Sequence, residues 1–100
     1  MPTIEFNEST QKNAQEVYKS IKVLLETDSD LRKLDSSYEC QFDDSEMSGT
    51  AKGKKFEANL SVLSSQCTEI SLTIKLPLLL TPFKGMIEKI IRKKLDLIVT

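Results

Sequence analysis

The acidic residues Asp43, Asp44 and Glu46 form a cluster of side chains of the types that perform acid–base chemistry or bind calcium. Acid–base chemistry near neutral pH most often uses histidine, and the sequence contains none. The cluster also lacks the ligand number and spacing of a dedicated calcium loop. It lies between two segments with strand periodicity, so the pattern predicts a solvated hairpin turn. We therefore expect no catalytic residue, no metal site, no cofactor and no enzyme activity.

The two cysteines, Cys40 and Cys67, are the next candidates for chemistry. Their separation does not match the spacing of zinc ligands, and the strand periodicity places them on opposite phases. We expect both to be reduced structural residues, because disulfides are rare in the cytosol.

Anion binding has one weak signal in the sequence. Lys84 and Gly85 stand near the predicted start of the last helix, but one glycine does not make a phosphate loop. The formal net charge is −1, and no basic stripe is interleaved with aromatic residues. The sequence therefore predicts no nucleic-acid partner.

The charge is nevertheless uneven along the chain. Residues 81–100 contain five basic and two acidic residues, a net charge of +3, whereas residues 1–80 contain nine basic and thirteen acidic residues, a net charge of −4. Glu88, Arg92 and Asp96 are spaced for local ion pairs, which leaves Lys89 and Lys93 as the freest charges. This basic face is typical of a solvated helix and also of an amphipathic helix that lies on an anionic surface.

The elements that position these residues follow from the apolar spacing. Ile4 and Phe6 predict a first strand. A helical period runs from Ala14 to Leu25, with Asn13 and Glu16 as a capping box, and residues 28–34 predict a short helical turn. From Tyr38 the period becomes two, which predicts four strands. Their expected buried face contains Tyr38, Cys40, Phe42, Met47, Gly49, Ala51, Phe56, Ala58, Leu60, Val62, Ile70, Leu72, Ile74 and Leu76.

This order predicts an α+β two-layer sandwich, β-α-β-β-β-β-α. An antiparallel meander sheet carries both helices on its dry face, in an arrangement similar to a reduced helix grip, where a curved sheet wraps a long C-terminal helix. The length and apolar content predict a single domain over residues 1–100. No apolar run reaches the length of a membrane span, and residues Met1 to Asn7 lack signal-peptide features, so we expect a cytoplasmic protein.

The last helix has a marked start and a wide apolar stripe. Thr81 is predicted to cap it, with Pro82 at its first position. The stripe contains Phe83, Met86, Ile87, Ile90, Ile91, Leu97 and Ile98, with Leu95 and Val99 towards its margin. It is wider than a surface helix needs to contact one sheet, so part of it is free for a second partner.

The segment around this helix start resembles a known family. Ile74 to Leu76, Leu79 and Leu80, Pro82, Lys84 and Gly85, and Ile87 and Glu88 are similar to a motif of the polyhydroxyalkanoic acid (PHA) system proteins. These small bacterial proteins are associated by name and gene context with polyester storage granules. The resemblance implies a cytoplasmic or granule-associated protein and a biological context, without a chemical mechanism. Family members often carry histidine, which this chain lacks.

Two functions remain open from the sequence. The first is a non-enzymatic accessory protein that binds a PHA granule, a granule-associated protein or a second copy of itself. Its expected contact residues are Leu79, Leu80, Phe83, Lys84, Lys89 and Lys93. Leu78 and Leu80 are expected to continue the buried phase of the last strand, whereas Leu79 with Leu63 on the outward phase would begin a dimer patch.

The second function is a small carrier or sensor for a fatty or hydroxyacyl ligand. The small residues Gly49, Ala51 and Ala58 would face the last helix. They would either pack tightly against its large side chains or leave an apolar pocket that Ile90 also lines. Lys94 falls within the apolar stripe. Either its stem packs while its charge reaches water, or its ammonium group meets an anionic head group or a partner's carboxylate.

Overall fold

The computed structural model describes residues 3–99, and Met1, Pro2 and Thr100 lie outside them. The expectation that Met1 to Asn7 is not a signal peptide therefore concerns some residues outside this range. The elements are β1 (Thr3–Thr10), α1 (Ala14–Thr27), α2 (Ser29–Leu34), β2 (Glu39–Asp43), β3 (Ser48–Lys52), β4 (Glu57–Ser64), β5 (Thr68–Lys75), a 3-10 helix (Leu78–Phe83) and α3 (Lys84–Val99). The predicted α+β class, antiparallel meander and long C-terminal helix are confirmed.

The sheet is antiparallel throughout, with the strand order β1-β5-β4-β3-β2. The N-terminal strand β1 therefore completes the sheet beside the last strand of the meander. Across the inner face, Phe6 lies opposite Leu72, Leu72 opposite Leu60, and Leu60 opposite Gly49. Phe6, Leu72 and Leu60 are buried, as the period of two predicts for a sheet with one dry face. The outer face carries mostly serine, threonine, asparagine, glutamine and charged residues.

The two long helices divide the inner face between them. α1 lies over β2, β3 and β4, whereas α3 contacts β1, α1 and the 3-10 helix. The sequence predicts α3 over the small residues of the middle strands, and in the structure α1 takes that position. Tyr38 donates a hydrogen bond from its hydroxyl to the carbonyl of Leu25, which fixes the end of α1 against the start of β2.

Asn13 and Asp28 define the ends of the first two helices. The Asn13 side chain accepts hydrogen bonds from the backbone N–H groups of Gln15 and Glu16, as expected of an N-cap. Asp28 ends α1 and also caps α2, because its carboxylate accepts a hydrogen bond from the N–H of Leu31 at 3.0 Å. One residue therefore turns the chain between two helices, and the predicted short helical turn is confirmed as α2.

Asp35 joins the end of α2 to the turn between β3 and β4. Its buried carboxylate accepts hydrogen bonds from the backbone N–H of Lys55 at 2.7 Å and from the side chain and backbone N–H of Ser37. These bonds lower the pKa of Asp35 to about 2. Gly53 sits against this junction, where an added Cβ would lie 2.1 Å from Asp35 Oδ2. The packing leaves no room for a side chain at Gly53.

The connection from β5 to α3 differs from the prediction. The strand ends at Lys75, before Pro77, and the chain turns into the 3-10 helix. Leu78, predicted on the buried face, is exposed because the change to 3-10 geometry ends the alternation of the strand. Thr81 donates its hydroxyl to the carbonyl of Leu78 instead of capping α3, and Pro82 lies inside the 3-10 helix. The predicted helix start is therefore wrong, since α3 begins at Lys84.

Candidate functional site

The candidate site is the solvent side of the 3-10 helix and α3. α3 buries Ile87, Ile91 and Leu95, which are four residues apart and so share one face. The predicted apolar stripe does not coincide with this buried face. Leu95, predicted at the margin of the stripe, is fully buried, whereas Phe83, Met86 and Leu97, predicted within it, are exposed. The reason is that α3 packs against β1 and α1 at one edge of the layer, which leaves its far side uncovered.

The exposed apolar residues form what we call the apolar face, made of Leu78, Leu79, Phe83, Met86 and Leu97. Their exposed fractions are 76%, 86%, 48%, 54% and 76%. Ile90 lies between Met86 and Leu97 on the same side of α3 and is half-buried. Leu80, also predicted as a contact residue, is half-buried and packs against the core. The sequence predicted the exposure of Leu79 but not that of Leu78.

Leu63 and Leu79 do not form one patch. Leu63 lies opposite Glu69 near one end of the sheet, whereas Leu79 follows Lys75 at the other end. The strand from Glu69 to Lys75 spans roughly 20 Å at the rise of a β-strand. The expected combination of the two leucines is therefore wrong, although each is exposed on its own.

A groove between α2 and α3 borders the apolar face. Its volume is about 190 Å³, and it is lined by Asp30, Leu31, Lys33, Leu34, Met86, Ile87, Ile90 and Ile91. The lining is almost wholly apolar apart from Asp30 and Lys33 at its rim. Ile90 thus lines a groove between two helices and not a pocket between sheet and helix.

The remaining residues of the predicted pocket lie elsewhere. Ala51 and Ala58 are fully buried and lie opposite each other in the sheet layer that α1 covers. The ring of Phe42 fills the space at Gly49, where an added Cβ would be 2.2 Å from Phe42 Cδ1. The structure therefore does not bring Gly49, Ala51 and Ala58 together with Ile90.

Lys94 bridges the last helix to the junction of α1 and α2. Its ammonium group donates hydrogen bonds to the carboxylates of Asp28 and Asp30. Burial lowers the pKa of Lys94, but the bonds to the two carboxylates outweigh this and leave it raised. The bond from Lys94 is in turn the main reason that the pKa of Asp30 is lowered. Lys94 is therefore neither a solvated charge nor free for an external anion, and its partners belong to its own chain.

The other basic residues of α3 fall into two groups. Arg92 pairs with Glu8 of β1 at 3.0 Å and with Glu88 at 3.7 Å, as the spacing of Glu88 and Arg92 predicts. Lys89 and Lys93 are exposed, and they form no ion pair within residues 3–99. Lys84 is half-buried at the start of α3. The free charges of this helix thus stand on its solvent side.

The acidic cluster has structural partners. Asp43 accepts hydrogen bonds from the backbone N–H groups of Ser45 and Glu46 in the turn between β2 and β3. Asp44 accepts a hydrogen bond from the hydroxyl of Tyr18 at 2.7 Å and pairs with Lys22 at 3.2 Å. Burial and the bond to Asp44 raise the pKa of Tyr18 to about 12. Across residues 3–99, no group of three or more histidine, cysteine or acidic side chains is placed to bind a metal.

The cysteines are both free and half-buried. Cys40 lies on the inner face of β2, near the carbonyl of Leu25. Burial raises the pKa of the Cys40 thiol, which makes the thiolate scarce at neutral pH. The geometry therefore offers no activated sulfur at Cys40.

The helices of the described chain are too short or too polar to cross a bilayer. Within residues 3–99, none combines the length and apolar character that a membrane span needs.

Two solved structures share this fold. The crystal structure of TTHA0849 from Thermus thermophilus matches with a TM-score of 0.55 at 17% identity, covering 98% of this chain and 89% of that one. The crystal structure of Ara h 8.0201 matches with a TM-score of 0.58 at 9% identity, covering 97% of this chain and 94% of that one. At these identities the likeness shows a helix-grip fold alone.

Comparison of sequences gives the family. No curated protein matches the chain significantly. Residues 4–98 match the family described as "Putative polyhydroxyalkanoic acid system protein", a span that includes nearly all of every helix and strand of the structure. The chain therefore belongs to the polyhydroxyalkanoic acid system protein family.

Proposed function

We propose that this protein is a non-enzymatic accessory protein of the PHA storage system. It acts by binding a granule surface, a granule-associated protein or a second copy of itself through the apolar face. Family membership supports the polyester context. The observation that carries the binding role is the exposure of Leu78 and Leu79, at 76% and 86%, on consecutive residues of the 3-10 helix that precedes α3.

The physical argument is the cost of leaving these side chains in water. Covering one leucine side chain contributes about 1.5–3 kcal/mol, so the pair of leucines offers a partner several kcal/mol. Single exposed apolar residues are common in soluble proteins, but clustered ones mark interaction surfaces. Leu78, Leu79, Phe83 and Met86 are close together along the chain, on the 3-10 helix and the first turn of α3. All four are exposed and therefore available to a partner.

Granule binding tests this proposal. Wild-type protein is expected to co-sediment with PHA granules isolated from its own host. The Leu78→Ser/Leu79→Ser variant is expected to lower the bound fraction about tenfold or more, because two leucines that the granule would cover are lost. The matched control is Val23→Ser/Leu63→Ser, which removes two exposed branched apolar side chains elsewhere, at 56% and 59% exposure. The control is expected to bind like wild type. Equal loss in both double variants, or no binding and no self-association of wild type, contradicts the proposal.

A carrier role is the second candidate, supported by the groove between α2 and α3. The groove is apolar, but its volume of about 190 Å³ is below that of most small-molecule pockets, so it suits a short acyl chain better than a long one. Asp30 at its rim is already paired with Lys94. The groove therefore presents few polar groups to orient a ligand.

Native mass spectrometry of protein purified from its own host separates the two roles. For the accessory role we expect a ligand-free monomer or dimer. A stoichiometric fatty or hydroxyacyl ligand would favour the carrier, provided that Ile90→Trp, which fills the groove, removes it. The same spectra of Leu79→Ser report whether any dimer uses the apolar face.

A further inference from the structure

The solvent side of α3 combines apolar and basic residues in a regular pattern. Met86 and Leu97 lie away from the buried Ile87, Ile91 and Leu95, and the exposed Lys89 and Lys93 share that side. The half-buried Ile90 lies at its margin, on the groove. Residues three or four apart on a helix are neighbours on its surface. The side from Met86 to Leu97 is about 16 Å long at the rise of an α-helix. It is an amphipathic strip that follows the leucines of the 3-10 helix.

Lys89 and Lys93 give this strip a positive charge that Asp96 partly offsets, although the protein as a whole carries −1. Of the acidic residues around it, Asp28 and Asp30 share the single ammonium group of Lys94, Glu88 pairs with Arg92, and Asp96 is exposed on α3 itself. Lys89 and Lys93 have no ion-pair partner in the described part of the chain, and Lys33 lies at the rim of the adjoining groove. A surface that complements the strip must therefore be both apolar and anionic.

The shape of the apolar face favours a fluid partner. Leu78 and Leu79 are so exposed that they project from the protein instead of lining a depression. A folded protein would need matching pockets for two adjacent projecting leucines, whereas a lipid interface receives them without prior shape. Helices with apolar residues flanked by lysines bind anionic lipid surfaces by this combination of insertion and charge.

We propose that the apolar face, with Lys89 and Lys93, docks on an anionic lipid surface. Leu78 and Leu79 enter the acyl boundary, Met86 and Leu97 lie along it, and the two lysines contact head-group phosphates. This inference rests on the proposed surface-binding function and names the chemistry of the surface. Bare polyester is the other occupant that the parallel measurement below distinguishes, and the native mass spectrometry of Leu79→Ser tests a second copy.

Vesicle flotation tests the inference. The full chain is mixed with vesicles of phosphatidylcholine alone or of phosphatidylcholine with phosphatidylglycerol. We expect binding only to the vesicles that contain phosphatidylglycerol, with a marked loss at high salt because exposed charges are screened. Leu78→Ser/Leu79→Ser is expected to lower the partition coefficient about tenfold or more. Lys89→Gln/Lys93→Gln is expected to lower it more than tenfold, at roughly fivefold per lysine.

Matched controls keep charge and apolarity separate. Val23→Ser/Leu63→Ser removes exposed apolar side chains away from the apolar face, and Lys19→Gln/Lys52→Gln removes two exposed lysines on α1 and on the outer sheet face. Both controls are expected to bind like wild type. Absence of binding to phosphatidylglycerol vesicles overturns the inference, and so does binding that survives in the Leu78→Ser/Leu79→Ser variant. All variants involve exposed residues, so their circular dichroism is expected to match that of wild type.

A parallel measurement separates failure of this inference from failure of the proposed function. The same proteins are incubated with polyester particles stripped of lipid and protein. Binding to the stripped particles through Leu78 and Leu79, with none to vesicles, overturns the lipid inference and leaves the accessory role standing. Binding to vesicles but not to native granules upholds the lipid inference and overturns the granule role.

Discussion

Phe6→Ala is expected to lower the free energy of unfolding by about 3–5 kcal/mol, a large part of the stability of a domain this size. Phe6 is fully buried on the inner face of β1, opposite Leu72 of β5. The guanidinium carbon of Arg92 lies 5.0 Å from the centre of its ring, and Arg92 also pairs with Glu8 on the same strand. Removing the ring leaves a cavity and takes away the surface on which Arg92 of α3 rests.

Chemical denaturation of Phe6→Ala measures this effect, with Asn7→Ala as the control. Asn7 is the next residue of the same strand, faces outward and contributes no buried apolar group, so its replacement is expected to change the free energy of unfolding by less than about 0.5 kcal/mol. If Phe6→Ala cost no more than Asn7→Ala, the N-terminal strand would not be part of the cooperative core.

Lys94→Met is expected to lower the free energy of unfolding by about 1–2 kcal/mol. Methionine keeps most of the length of the side chain but leaves the carboxylates of Asp28 and Asp30 without their ammonium partner. Asp28 is almost wholly buried, so an unpaired charge there is costly, while the partial exposure of Lys94 and Asp30 moderates the loss. Lys93→Met is the matched control, because Lys93 is exposed and unpaired within residues 3–99 and its replacement should be nearly neutral.

The cost of Lys94→Met is also expected to depend on pH. The pKa of Asp30 is lowered below its ordinary value of 3.8 in the folded protein, so its stabilising contribution is present above that value and is lost as the pH falls through the lowered pKa. The pKa of Lys94 is raised above 10.5, so its contribution is lost as the pH rises through the raised pKa. Urea titrations across this range should show the largest difference from wild type between about pH 5 and 10.

A second substitution tests the origin of the loss at Lys94. Asp28→Asn removes the buried charge but keeps a good N-cap for α2, since asparagine accepts the same kind of hydrogen bond. The double variant Lys94→Met/Asp28→Asn is therefore expected to recover part of the stability lost in Lys94→Met. Additive losses in the double variant would contradict an electrostatic role for the pair.

The ion pairs of Lys94 also bear on the proposed surface. They hold α3 to the junction of α1 and α2, and the one ammonium group offsets part of the charge of two carboxylates, of which Asp30 lines the groove that borders the apolar face. The exposed charged residues on the solvent side of α3 include Lys89, Lys93 and Asp96. Loss of this arrangement would expose negative charge where an anionic partner is proposed to bind. A structural contact thus affects the charge next to the candidate interface.

The strands could be predicted from the sequence because their side chains alternate over long runs. Ile70, Leu72 and Ile74 face the core as a period of two requires, since one face of the sheet is dry and the other is wet. Asn13 marked the start of α1 because its side chain acts on backbone groups two and three residues away. These features depend on local chemistry and need no knowledge of distant partners.

The candidate site required the tertiary structure, because its properties depend on which elements meet. The apolar stripe of α3 is wider than its contact with β1 and α1, and only the packing shows that Leu95 is buried while Met86 and Leu97 face water. The partners of Lys94 lie 64 and 66 residues away along the chain, beyond the reach of any periodic pattern. The sequence by itself determined the order of strands and long helices and the family, whereas the fold decided which apolar and charged side chains remain free to bind, because exposure is a property of the assembled layers.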